Sequence, residues 1–357
     1  MNVQRIGSVL IALALGMPVA APAAGFNDVL DTPAMASPLV AKGLINGLAL
    51  AGSRIVGVGQ RGHILYSDDQ GQRWHQAKVP VSSDLVAVSF PTPRQGWAVG
   101  HDGVVLHTSD AGANWTKQLD GRAVGELMLA YYTAQAAKVG ADGAQEAVKW
   151  VAEAERFAAQ GAENPFLDVW FADEQTGFVV GAFNLILRTT DGGKRWEPWL
   201  DRTDNPQALH LYAVRAAGGT VFVTGEQGLV MRLDAAAGRF RAVETPYKGS
   251  YFGLTGGKDA VIVFGLRGNA FRSVDGGASW HKIDTGVQEG LTAGAVVGER
   301  GVMLASQAGR LLVSQDGGEH FAPVKLERAL PASAIQPLGA DAVVVAGARG
   351  VRLQSLR

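Results

Sequence analysis

Five aspartates recur along this chain, each inside a motif of form Ser/Thr-x-Asp-x-Gly-x-x-Trp/Phe. With their aromatic partners they are Asp69 and Trp74, Asp110 and Trp115, Asp191 and Trp196, Asp275 and Trp280, and Asp316 and Phe321. A sixth copy is worn down to Asp234, Gly238 and Phe240. A carboxylate repeated in this way could act as a general acid, hold a metal ion, or accept hydrogen bonds from the backbone. The company each one keeps favours the last role: the glycine permits a tight turn, the aspartate accepts backbone N–H groups within it, and the aromatic ring packs against a neighbour. The motif therefore reads as a structural staple, and no catalytic residue is assigned to it.

Other groups that could do chemistry are sparse. Gly57-Val58-Gly59-Gln60-Arg61-Gly62 matches a dinucleotide fingerprint, but the strand-like His63 to Tyr66 follows it where a helix should receive the pyrophosphate. The seven histidines show no metal-ligand spacing, so neither a metal nor a cofactor is expected. Propeller glycosidases carry the same aspartate motif, and a sialidase-like glycoside hydrolase is the alternative function. It would need paired acids directed at one pocket, and Asp168 and Glu226 are the only carboxylates worth testing for that role.

The elements that position these residues follow from the spacing. Counting the degraded copy, the motif aromatics stand 41, 81, 44, 40 and 41 residues apart. A period of about 40 residues built from short strands is the signature of a β-propeller, whose small sheets must stack to bury their faces. Each repeat also holds a tight turn between two apolar strands: Gly59 to Gly62, Gly100 to Gly103, Gly181 to Asn184, Gly225 to Gly228, Gly265 to Gly268, Ser306 to Gly309 and Gly347 to Gly350. Seven turns predict an all-β, seven-bladed propeller over residues 24–357. The last repeat stops short of a fourth strand, and residues 26–32, which resemble the stretch from Phe240 to Pro246, are expected to supply it.

One period is doubled. Residues 121–161 turn alanine-rich with helical periodicity, interrupted at Gly140-Ala141-Asp142-Gly143, and predict an α-helical hairpin inserted between blades 2 and 3. Connections between blades emerge on the same side as the seven turns, so the hairpin marks a working face. The candidate binding residues there are the turn tips Arg61, Asp102, Phe183, Gln227, Arg267 and Arg349, with Tyr131 and Trp150 of the hairpin.

Composition narrows the classes further. A net charge of -1 gives no reason to expect nucleic acid, and the lack of cysteine excludes disulfides, thiol nucleophiles and a lipid-bearing cysteine. Residues 1–23 have the form of a signal peptide: Arg5, an apolar stretch from Ile6 to Ala20, and Ala21-Pro22-Ala23 as a small-residue cleavage site. Cleavage near Ala23 would leave a soluble periplasmic protein, expected to be monomeric.

With the repeats laid out, the chain resembles the photosystem II stability and assembly factor family of BNR/Asp-box propellers, in a non-photosynthetic bacterial branch. The likeness covers about residues 40–357 and rests on the cadence from Gly181 to Trp196 and from Gly265 to Trp280. It implies a non-catalytic scaffold that binds a membrane protein during assembly, with an arginine-rich patch involved. By motif position Arg188, Arg232 and Arg272 match the family arginines, while Tyr66, His107, Val313 and Gln354 depart from them. The resemblance further implies a membrane protein complex or transporter as the partner on the periplasmic side.

Overall fold

The computed structural model describes residues 27–326 and 329–356. The signal-peptide expectation for residues 1–23 lies outside them. Seven antiparallel sheets form the blades, six with four strands and the last with three. Blade 3 is representative: strands A to D are Phe166–Phe171, Gly177–Gly181, Ile186–Thr189 and Glu197–Pro198, with Val169 opposite Val179, Phe178 opposite Arg188 and Arg188 opposite Glu197. Each A strand packs against the A strands of its neighbours, which closes a ring around an axial channel.

Face-to-face stacking explains why the B strands read as unbroken apolar runs. Val261–Gly265 and Gly177–Gly181 are buried at every position because each lies between two other sheets. Trp97 of blade 2 stacks on Phe171 of blade 3 with ring centroids 3.6 Å apart. The channel side is lined by small residues, Ala87, Gly253, Gly294 and Ala334 among them.

The ring does not close as the sequence suggested. Among the described residues, 27–32 form turns and contain no strand, and they lie against blades 1 and 2 instead of blade 7. Leu30 is buried in the core shared by those two blades, the Ser82 N–H donates to the Val29 carbonyl, and the Ala34 N–H donates to the Val79 carbonyl. Asp31 pairs with Arg122 at 2.8 Å. Burial of one leucine and satisfaction of one acidic group hold the segment there. Blade 7, with strands Ala334–Pro337, Ala342–Gly347 and Gly350–Ser355, meets blade 1 through side chains, where Val344 and Ala346 pack with Ile45, Ile55 and Leu65.

The helical hairpin is present between blades 2 and 3, with α1 at Gly121–Ala136 and α2 at Ala144–Gln160. Asp120 caps α1 by accepting the Arg122 N–H. Gly125 lets the helices touch, since a Cβ there would stand 2.5 Å from the Ala158 Cα. No described helix is long and apolar enough to cross a membrane.

Candidate functional site

The five full aspartate motifs share one hydrogen-bond pattern. In blade 5 the Ser273 hydroxyl donates to Asp275 Oδ1 at 2.7 Å and accepts from the Gly277 N–H at 2.8 Å, while Asp275 Oδ1 accepts the Ser279 N–H at 2.9 Å. Ser67, Thr108, Thr189 and Ser314 repeat the arrangement. These bonds hold Asp69, Asp275 and Asp316 well below the usual carboxylate range, led by the Arg73 side chain, the Ser279 side chain and the His320 N–H respectively. Trp74 and Trp115 lock the turn by donating to Gly71 and Gly112. Each motif carboxylate accepts from its own turn, so the motifs staple the fold.

The opposite end of the disc carries a site with no internal repeat. The hairpin and the connection from blade 3 to blade 4 enclose a cleft of about 1040 Å³. Val124, Met128 and Tyr132 of α1 and Ala154 and Phe157 of α2 join the core, which fixes the hairpin to the propeller. Tyr132 donates to Asp201 at 2.9 Å; burial, then the Asp201 charge, pushes its phenol far up, and burial likewise raises the Asp201 carboxyl. Tyr131 donates to Glu197 at 2.9 Å and accepts from Arg202, which also bonds Glu197 at 2.7 Å. The floor is a buried amide network in which Asn184 accepts from both Thr203 and Asn205 and donates to the Leu200 carbonyl. Satisfied groups of this kind give the cleft a rigid shape.

Its apolar wall is aromatic. Trp150 stacks on Tyr132 at 5.8 Å and is oriented by donating to Glu146. Phe183, at the tip of the blade 3 turn, is 42% exposed and sits in the left-handed region at φ 53°. Arg156 of α2 lies over its ring. The structure thus gathers Tyr131, Trp150 and Phe183 in one cleft. Arg61, Asp102, Gln227, Arg267 and Arg349 stay on the tips of their own blades and do not line it. Sequence reasoning missed Tyr132, Asp201, Arg202 and the Asn184 network; the 44-residue spacing after Trp196 was the signal that this connection is longer than the others.

The family-position arginines lie towards the other end. Arg232 donates to the Gly276 carbonyl and Arg272 to the Gly317 carbonyl, both at 2.9 Å, so each clamps the motif turn of the next blade. Arg188 stacks on Trp199, 4.9 Å from its ring centre. Of the two candidate acids, Asp168 lines the channel and is buried against Arg215 and the Val214 N–H, with burial pushing its carboxyl up. Glu226 does not line the channel and accepts from the His210 N–H at 2.8 Å. Of the pair, Asp168 alone lines the channel. Among the described residues no group of three or more His, Asp or Glu side chains is placed to hold a metal ion.

Fold and staples together define a seven-bladed β-propeller with one helical insertion. The sequence profile of the family described as "Photosynthesis system II assembly factor YCF48" matches residues 53–144 and 144–246, more than half of the chain. The chain belongs to that family. It is 31% identical over 121 residues to the photosystem II assembly lipoprotein Ycf48 of Synechococcus sp. (strain CC9902), a match covering 33% of this chain and 36% of that relative. A 35-residue stretch is 60% identical to the protein of the same name from Prochlorococcus marinus (strain SARG), covering 10% of each chain. The chain therefore spans about a third or less of the length of these curated relatives. Among solved structures, YCF48 bound to D1 peptide superposes with a TM-score of 0.63 at 16% identity over 89% of this chain and 94% of that one. YCF48 from Cyanidioschyzon merolae follows at 0.60, also at 16% identity, over 89% and 97%. At that identity the superpositions speak to the fold.

Proposed function

We propose that this protein is a non-catalytic, periplasmic assembly scaffold that holds an exposed segment of a membrane protein complex in the hairpin cleft. One observation carries the reading: the hairpin cleft is walled by four aromatic rings, those of Tyr131, Tyr132, Trp150 and Phe183, and floored by hydrogen-bonded amides, while the acids around it are already paired with Tyr132, Arg202 and Arg239. Aromatic side chains on a rigid floor suit capture of a polypeptide segment, because they bury large area with little entropy lost. Family membership supports a scaffold, and the D1 peptide bound to YCF48 in the solved complex supports a peptide as the thing held. The near-neutral net charge fits a protein partner better than a nucleic acid.

The test uses the exported protein in cells. A photocrosslinking side chain at Val148 or Phe183, both exposed on the hairpin side, is expected to capture one membrane protein, and the same group at Arg94 near the motif turns none. Replacing residues 122–160 by a short Gly/Ser loop, or combining Trp150→Ala with Phe183→Ala, should abolish co-purification of that protein. Capture that is equal from both ends of the disc, or that survives the double substitution, overturns the proposal.

A further inference from the structure

The degraded motif of blade 4 leaves a gap in a series of contacts. Between successive blades, a side chain of one blade donates to the carbonyl of the residue that follows the motif aspartate in the next. Arg54 reaches Ala111, Gln118 reaches Gly192, Arg232 reaches Gly276 and Arg272 reaches Gly317. Arg188 occupies the same strand position as Arg232 and Arg272, opposite an aromatic or aliphatic B-strand residue in each case. Its counterpart carbonyl would belong to Ala235, after Asp234, but the turn there runs differently and Gly238 comes two residues later than the motif glycine. Among the described residues, Arg188 Nε finds no acceptor in that turn.

What replaces the contact is a pocket of about 250 Å³ between blades 3 and 4, lined by Trp170, Phe178, Arg188, Trp199, Val221 and Leu233, with Ala235 at its edge. Arg188 Nε and Trp199 Nε1 are both buried there without an acceptor, and Trp199 is 2% exposed. The guanidinium is held in place by stacking on Trp199 and Phe178. Buried donors without acceptors are costly, and they show that this guanidinium lacks the carbonyl its counterparts reach; among the described residues no hydrogen bond holds its terminal nitrogens, and beside the apolar hollow an acceptor-bearing molecule would gain most there.

We infer that this pocket binds a small apolar carboxylate, with its acid group on the two terminal nitrogens of the Arg188 guanidinium and its ring or short chain against Phe178, Val221 and Leu233. A guanidinium offers two parallel donors to a carboxylate, and the volume fits a single ring. The site is separate from the hairpin cleft, and the inference stands whether or not that cleft holds a partner.

The test is calorimetry and ligand-observed NMR on the full protein with benzoate, hexanoate, N-acetylphenylalanine and neutral benzamide. Saturable binding in the low-millimolar range is expected for the acids, as suits ligands of about ten heavy atoms. Benzamide should bind at least about tenfold more weakly. Tighter binding of N-acetylphenylalanine than of benzoate would point to a peptide terminus as the source of the acid, and the reverse to a free organic acid; either outcome supports the pocket. Arg188→Met keeps the stacking length and should weaken benzoate at least about tenfold, as should Ala235→Phe, which fills the exposed edge without touching the core. Arg272→Met, at the matching position over an intact clamp, should leave benzoate binding unchanged. No saturation by about 20 mM, or binding indifferent to both Arg188→Met and Ala235→Phe, overturns the inference.

Discussion

The two ends of the disc handle polar groups in opposite ways. At the motif end the same serine or threonine, aspartate and glycine recur, each aspartate accepts from its own turn, and the carboxyls are held low by their donors. At the hairpin end nothing recurs: α1, α2 and the connection after Trp199 occur once, and their polar groups frame a space instead of filling it. Repetition serves stability, since each blade needs the same turn fixed in the same way. Departure from the repeat serves recognition, because a partner meets one place on the ring. Blade 4 follows the same logic from within, as the copy that lost its motif is also the one that opened a pocket.

The comparison breaks first if the hairpin is an ornament. Phe157 is 2% exposed and joins the blade 2 to 4 core, so Phe157→Ala should cost about 3–5 kcal/mol in urea unfolding of the whole protein. A hairpin that melts alone, with the propeller transition unmoved, would show the two ends to be independent. A smaller effect sharpens the other side of the contrast. Ser273→Ala strips the Gly277 N–H of its acceptor inside a buried turn and should cost about 1–3 kcal/mol, whereas Asp234→Ala in the degraded copy should stay within about 0.5 kcal/mol. Equal costs would mean that blade 4 retains a working staple.

How far the sequence carried these assignments depended on repetition. The seven turns and five motifs are legible because each copy corroborates the others, and the hairpin is legible because its period changes from 2 to 3.6. Residues 27–32 were misassigned for the opposite reason: a single resemblance to Phe240 and its neighbours outweighed the contacts of Val29, Leu30 and Asp31, whose partners lie 53 to 91 residues away and leave no local trace. The cleft was half visible. Tyr131, Trp150 and Phe183 stood out as large residues on the inserted face, but Tyr132, Asp201 and the Asn184 network are joined only by tertiary contacts. Arg232 and Arg272, read through family resemblance as a binding patch, each direct one donor to a backbone carbonyl of the next blade, which no motif position could reveal.

The smallest expected effect concerns the joint that ties the two ends of the comparison together. Asp120 caps α1 and also bonds Arg122 and Lys117 at 2.8 and 2.9 Å, while Arg122 and Lys117 hold Asp31 of the N-terminal segment. Burial pushes the Asp120 carboxyl up, but the bonds from Arg122 and Lys117 outweigh it and hold it at about 2, against an ordinary value of 3.8. A carboxyl lowered on folding contributes stability that is complete above its unfolded value and fades as the pH drops through its folded one. Asp120→Asn keeps a good capping side chain and removes only the charge. Its thermal midpoint should therefore lie below that of the wild type at neutral pH, and the two should converge between about pH 4 and pH 2. Midpoints that stay parallel down to the acid limit would mean that the cap alone, and not the ion pairs, fixes the hairpin to the N-terminal segment.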